Sequence, residues 1–140
     1  MTASTSGAEM ANELILIVED DDKSRKLVRD LLAFNGYQTV EAVNGLDGVR
    51  LARERLPVLV LMDIQLPDIS GIEARERIRT DAATRHIPVI AVTASVMPED
   101  RQRVVDAGFD GYQRKPISMK EFLATVRQVI DQRAGKAVQT

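Results

Sequence analysis

Cysteine is absent from the 140 residues, which excludes disulfides and thiolate metal sites outright. Histidine occurs once, as His86. One imidazole cannot build a histidine-rich metal centre, and it stands in a loop-like stretch before Ile87-Pro88, so it is given no role. No apolar run approaches the length needed to cross a bilayer, and the N-terminus has no apolar signal core. A cytoplasmic protein without membrane association is the expectation. Charge of one sign is not in excess either. The net charge is −2, and the basic residues are scattered among acidic ones. Nothing there would neutralise a row of phosphates, so nucleic acid is not an expected partner.

What is present suits a single domain with a core: 44% hydrophobic and 29% charged residues. Residues 1–12 are small and polar and read as a disordered leader, in which Met10 is a conceivable original start; the folded unit is expected over 13–133, with a frayed tail over 134–140. Within the unit, Leu14 to Val18, Val58 to Met62 and Val89 to Val92 are unbroken apolar runs rich in β-branched residues. Such runs suit strands covered on both faces, the mark of a parallel sheet. Tyr37 to Glu41 and Asp110 to Gln113 are more polar and suit sheet edges. Leu27, Leu31 and Phe34, with Val28 and Leu32 beside them, form a helical stripe that stops at Asn35-Gly36. Val49 with Ala52, Ile72 with Ile78, and Val104 with Val105 mark three more helices. A fifth, Met119 to Arg133, carries Phe122, Val126, Val129 and Ile130. Five βα units imply an α/β fold of three layers, a doubly wound, flavodoxin-like parallel sheet in the order 2-1-3-4-5.

In such a sheet ligands bind beyond the carboxyl ends of the strands. Those ends carry Glu19-Asp20, Asp63, Thr93 and Lys115-Pro116. Converging carboxylates need protons or a cation; hard oxygen ligands favour Mg²⁺ or Ca²⁺ over zinc or copper, and three acids with backbone oxygen and water suit Mg²⁺. A carboxylate can attack phosphorus to give an acyl phosphate, with a metal, an ammonium and a hydroxyl on the phosphoryl oxygens. Asp63, Mg²⁺, Lys115 and Thr93 would fill those roles. Each residue alone has a plainer reading: an acidic helix start for Asp21 and Asp22, a loop opener for Asp63, a cap for Thr93, a solvated charge for Lys115. Their coincidence at one sheet edge favours chemistry.

The residues Ile-Leu-Ile-Val-Glu19-Asp20, Leu-Met-Asp63-Ile-Gln-Leu-Pro67-Asp-Ile-Ser-Gly71, Ala-Val-Thr93-Ala94, Asp-Ala-Gly108 and Tyr112-Gln-Arg-Lys115-Pro116 together resemble the CheY-like receiver domains of bacterial two-component response regulators, over roughly Glu13 to Arg133. Met-Asp-Ile-Gln-Leu-Pro with Lys-Pro-Ile-Ser is similar to stand-alone receivers of the DivK type and to receivers attached to hybrid kinases. The resemblance implies Asp63 as phosphoacceptor, and Mg²⁺, for which Mn²⁺ can substitute, held by Asp20, Asp63 and the backbone carbonyl of Gln65, with Glu19 acting through water. It implies Lys115 on the phosphoryl group, a cis bond to Pro116, Thr93 and Tyr112 as the switch pair, and Ala94 small enough to leave the phosphorus accessible. Pro67 and Gly71 are then structural. Glu19 stands where the family often has aspartate.

The expected function is that of a single-domain response regulator and not of a turnover enzyme. A histidine kinase or histidine phosphotransfer protein would donate the phosphoryl group to Asp63. The fourth helix, fifth strand and fifth helix, including Met97, Val104, Tyr112 and Ile117, would present the result to a downstream protein target, or the phosphoryl group would pass onward, with the chain a monomer or a phosphorylation-dependent dimer. A DNA-binding or enzymatic output domain is not expected after Arg133. A receiver cut from a hybrid histidine kinase is the main alternative. An aspartyl-nucleophile phosphatase would want a second acid two residues after the first, where Gln65 stands. A flavin carrier would want a glycine- and hydroxyl-rich loop where Glu19 to Asp22 stand.

Overall fold

A computed structural model describes residues 13–94 and 97–139, with side chains through Ala134. The expected leader, 1–12, lies outside the described residues. The elements in chain order are β1 (Leu14–Val18), α1 (Asp22–Phe34), β2 (Gln38–Ala42), α2 (Gly45–Arg55), β3 (Leu59–Asp63), α3 (Gly71–Thr80), β4 (Val89–Thr93), α4 (Pro98–Asp106), β5 (Gly111–Arg114) and α5 (Met119–Gln139). All strands are parallel, in the order β2-β1-β3-β4-β5, as the alternation of patterns predicts.

Strand side chains alternate between the two faces of the sheet, and the core divides accordingly. Ile15, Ile17, Leu59, Leu61, Ile90 and Val92 pack with Val28 and Leu32 of α1 and Phe122, Val126, Val129 and Ile130 of α5. Leu16, Val18, Val60, Met62 and Val89 pack on the other face with Ala52 of α2 and Ala74 and Ile78 of α3. The sheet is covered twice, which is why β1, β3 and β4 are apolar at nearly every position.

The α1 stripe differs from the sequence expectation by one helical position. Val28 and Leu32 are its buried residues, whereas Leu27 and Phe34 are 54% and 89% exposed. In α4, likewise, Val104 is buried and Val105 exposed, so Val104 does not belong to a surface. The helix α5 runs past Arg133 to Gln139, where the sequence predicts a tail from Ala134; Ala134, Lys136, Ala137 and Gln139 are good helix formers and outnumber Gly135 and Val138, which are poorer ones.

Two local devices fix the path. The end of α1 turns on Gly36, whose φ of 90° is left-handed, with Gly36 N–H donating to the Ala33 carbonyl and Tyr37 N–H to that of Leu32. At the amino ends of the strands, Arg127 of α5 donates to Glu13 at 2.9 Å and to the Tyr37 hydroxyl at 3.2 Å, while Arg133 meets Asp110 at 3.0 Å. The hydrogen bonds to Glu13 first and then to Asp131 push the Arg127 pKa up against the effect of its partial burial.

Candidate functional site

The site grows from the carboxyl edge of the sheet. Glu19 continues the row of Ile15 and Ile17, and Asp63 that of Leu59 and Leu61, so both project on the α1/α5 side at the rim. Both are buried. Asp20, one residue further, is exposed. One carboxylate oxygen from each of the three acids can be drawn from a group lying within 4.8 Å.

Lys115 closes the cluster from the end of β5. Its Nζ lies 2.6 Å from Glu19 Oε1 and 3.4 Å from Asp63 Oδ2, and its backbone N–H donates to the Thr93 carbonyl at 2.8 Å, which ties β5 to the end of β4. The Lys115–Pro116 peptide bond is cis. Burial alone would lower the Lys115 pKa, but its hydrogen bond to Glu19 and the charges of Asp63 and Glu19 outweigh this and raise it. Glu19 is also pushed up, first by burial and then by its proximity to Asp63, against the pull of Lys115. Three carboxylates, Glu19, Asp20 and Asp63, thus gather around one ammonium. That excess of negative charge among hard oxygen donors fits a divalent cation such as Mg²⁺.

Asp63 is held from behind. Its Oδ1 accepts from the Gln65 backbone N–H at 3.0 Å. At Gly71 a Cβ would fall on the Asp63 carbonyl oxygen and 2.8 Å from Ile64 Cα, so the residue type lets the first turn of α3 close on the end of β3. Gly71 N–H donates to the Ile64 carbonyl at 2.9 Å, and Ser70 caps α3 by accepting from Glu73 N–H at 3.1 Å. Pro67 lies in the same short loop, where Leu66 and Ile69 pack partly into the core.

Thr93 continues the row of Val89 and Ala91 and therefore turns to the opposite face from Asp63. It is buried and lines a cleft of about 370 Å³ with Ile64, Gln65, Ser70, Asp100 and Arg103. Ala94, the next residue along the chain, is exposed. Tyr112 lies further out on β5, partly exposed, with the Arg101 guanidinium 5.4 Å over its ring. The fold thus gathers Glu19, Asp20, Asp63 and Lys115 into one cluster, sets Thr93, Gln65 and Ala94 beside it, and leaves Tyr112 on an outer groove with Met97, Pro98, Val105 and Arg114.

Two residues escaped the sequence reading. Asp68 accepts from the N–H groups of Gly45 and Leu46, each at 2.8 Å, capping α2 from the β3–α3 loop. Arg25 donates to the Glu19 carbonyl at 3.0 Å and to Glu41 at 3.0 Å. No local spacing announces either, since their partners lie on other elements.

Comparison with known proteins agrees with this geometry. The response regulator receiver domain profile matches residues 15–127. The polar-differentiation response regulator DivK of Brucella anthropi is 46% identical over 116 residues, spanning 83% of this chain and 94% of that protein; DivK of Brucella ovis is 45% identical over the same extent. Among solved structures, the receiver domain of the sensor histidine kinase PA1611 from Pseudomonas aeruginosa, with a magnesium ion coordinated in its active site cleft, superposes with a TM-score of 0.80 at 30% identity, covering 86% of this chain and 98% of that one. A CheY-like receiver domain protein from Methanospirillum hungatei gives 0.81 at 27% identity, covering 89% and 98%. By sheet order, site layout and sequence alike, the chain belongs to the response regulator receiver domain family.

Proposed function

We propose that residues 13–133 form a phosphoryl-accepting switch whose acceptor is Asp63. The observation that carries this reading is the Lys115 ammonium bridging Glu19 and Asp63 inside a three-carboxylate cluster. The Asp63 carboxylate attacks the phosphorus of a phosphohistidine on a histidine kinase or phosphotransfer protein. A C–O–P bond forms, the P–N bond breaks, and the imidazole leaves with a proton from solvent. Asp20, Asp63 and the Gln65 carbonyl would hold Mg²⁺ or Mn²⁺, with Glu19 reaching it through water; the ion supplies charge neutralisation on the phosphoryl oxygens. Lys115 moves from the carboxylates to the new dianion. Thr93 donates its hydroxyl to a phosphoryl oxygen, and Ala94 leaves the approach open.

The consequence is a shift between two arrangements of one fold. Tyr112 follows Thr93 inward from the groove formed with Met97, Val105 and Arg101, and the face made by α4, β5 and α5 changes shape for a downstream protein. No described helix is long and apolar enough to cross a membrane, which suits a cytoplasmic relay. The likeness to DivK of Brucella anthropi favours a free-standing regulator; the likeness to the PA1611 receiver supports, as a second reading, a unit detached from a hybrid kinase.

Incubation with acetyl phosphate and Mg²⁺, followed by intact mass, tests the reading. A phosphate adduct is expected on the wild type and on Asp106→Asn, and none on Asp63→Asn. An adduct that survives Asp63→Asn overturns it.

A further inference from the structure

Every polar atom of Glu19 is engaged. Its backbone N–H donates to the Ala42 carbonyl at 3.0 Å, and its carbonyl accepts from Arg25 Nη1 at 3.0 Å. Its Oε1 meets Lys115 at 2.6 Å, and its Oε2 accepts from Asp21 N–H at 3.1 Å. Asp21 is pinned in turn, as the cap that accepts from Ser24 N–H at 2.8 Å. Asp20 therefore sits between two immobilised residues, although its own side chain is exposed.

Three of the four anchors on Glu19 belong to the strand edge, the capping turn or the acid cluster itself. The fourth comes from outside. Arg25 stands in the first turns of α1 with its side chain only 16% exposed, and its three guanidinium nitrogens serve three partners: Glu41 at the far end of β2 (3.0 Å), the Glu19 carbonyl (3.0 Å) and Asp22 (2.6 Å). A planar fork is suited to such divided bonding in a way that an ammonium is not. Glu41 is steadied further by Arg29 at 3.4 Å.

We propose that Arg25, braced on Glu41, is a positioning residue for the divalent-cation site: it holds the Glu19 carbonyl and so fixes the Glu19–Asp20 turn at the rim before the ion arrives. The proposal rests on reading the acids as a Mg²⁺ site. Charge and position pull in opposite directions here, which makes the role separable. As a positive charge near a cation site, Arg25 weakens binding; as a brace, it strengthens binding by preparing the ligands, and partners of this kind are commonly worth about 10–100-fold in metal affinity.

The test is a Mg²⁺ titration read from the backbone amide NMR shifts of Glu19, Asp20 and Asp63, on the wild type, Arg25→Ala, Arg25→Lys and Glu41→Ala. Arg25→Ala is expected to weaken Mg²⁺ roughly tenfold even though it removes a positive charge. Arg25→Lys, which keeps the charge but cannot span three acceptors, weakens it at least as much, and Glu41→Ala in the same direction by a smaller factor. Glu41→Ala keeps the Arg25 side chain while removing its brace, and so remains informative if Arg25→Ala misfolds. Unchanged or tighter binding in Arg25→Ala together with unchanged binding in Arg25→Lys overturns the proposal. Absence of saturable Mg²⁺ binding to the wild type overturns the site reading, and the proposal with it.

Discussion

The Lys115 ammonium lies nearer to Glu19, at 2.6 Å, than to Asp63, at 3.4 Å. Before any cation or phosphate arrives, this lysine is the main positive charge among the acids, and it competes with a metal for them. Lys115→Ala should therefore tighten Mg²⁺ binding, by roughly tenfold, since one unit charge at this separation is worth at least ~1 kcal/mol even in bulk water. The same variant should lose most of its phosphate adduct with acetyl phosphate. Metal titration and intact mass, run on one sample, check the two opposed effects.

The phase of α1 is tested by two leucines in one helix. Leu32 is fully buried against the sheet, while Leu27 is 54% exposed. Leu32→Ala should cost ~2–5 kcal/mol in urea unfolding, and Leu27→Ala no more than ~0.5 kcal/mol. Comparable losses would mean that the helix is rotated.

Gly71→Ala places a methyl group on the backbone of Asp63 and Ile64. Separation of α3 from β3 is the only relief, at a cost of ~1–3 kcal/mol. The displaced β3–α3 loop should also slow phosphorylation of Asp63. A variant with wild-type melting and wild-type adduct formation would contradict the packing described here.

Asp68 gives the chain an acid-sensitive joint. Burial alone would raise its pKa, but the N–H groups of Leu46 and Gly45 stabilise the carboxylate and hold it below the ordinary value of 3.8. A depressed folded value contributes stability above 3.8, and that contribution is lost as pH falls through the folded pKa. Chemical denaturation across that acid range should show wild type losing stability more steeply than Asp68→Asn, which has nothing to titrate there. At neutral pH, Asp68→Ala should melt below the wild type.

The sheet was legible because β1, β3 and β4 announce themselves as unbroken apolar runs and because each is followed by a helical pattern. The acids were legible by topology, since a 2-1-3-4-5 order brings the ends of β1 and β3 side by side. Helix phase was less so. In α1, Leu27, Val28, Leu31, Leu32 and Phe34 cover nearly half of the cylinder, and only the sheet decides that Val28 and Leu32 face inward. Val104 and Val105 pose the same ambiguity in α4. Arg25 and Asp68 were illegible for a different reason: the Arg25–Glu41 bond spans 16 residues and the Asp68–Leu46 bond 22, and each joins elements whose adjacency exists only after folding.

The ionic lashings of α5 to Glu13 and Asp110, from Arg127 and Arg133, join its middle turns to the residues that precede β1 and β5. Among the described residues, no comparable ion pair fastens the opening turn of that helix, next to the Lys115 loop. The charged tethers of the helix thus lie on the side of the sheet remote from the acids. Near the Lys115 loop its hold on the sheet is apolar instead, through the fully buried Phe122.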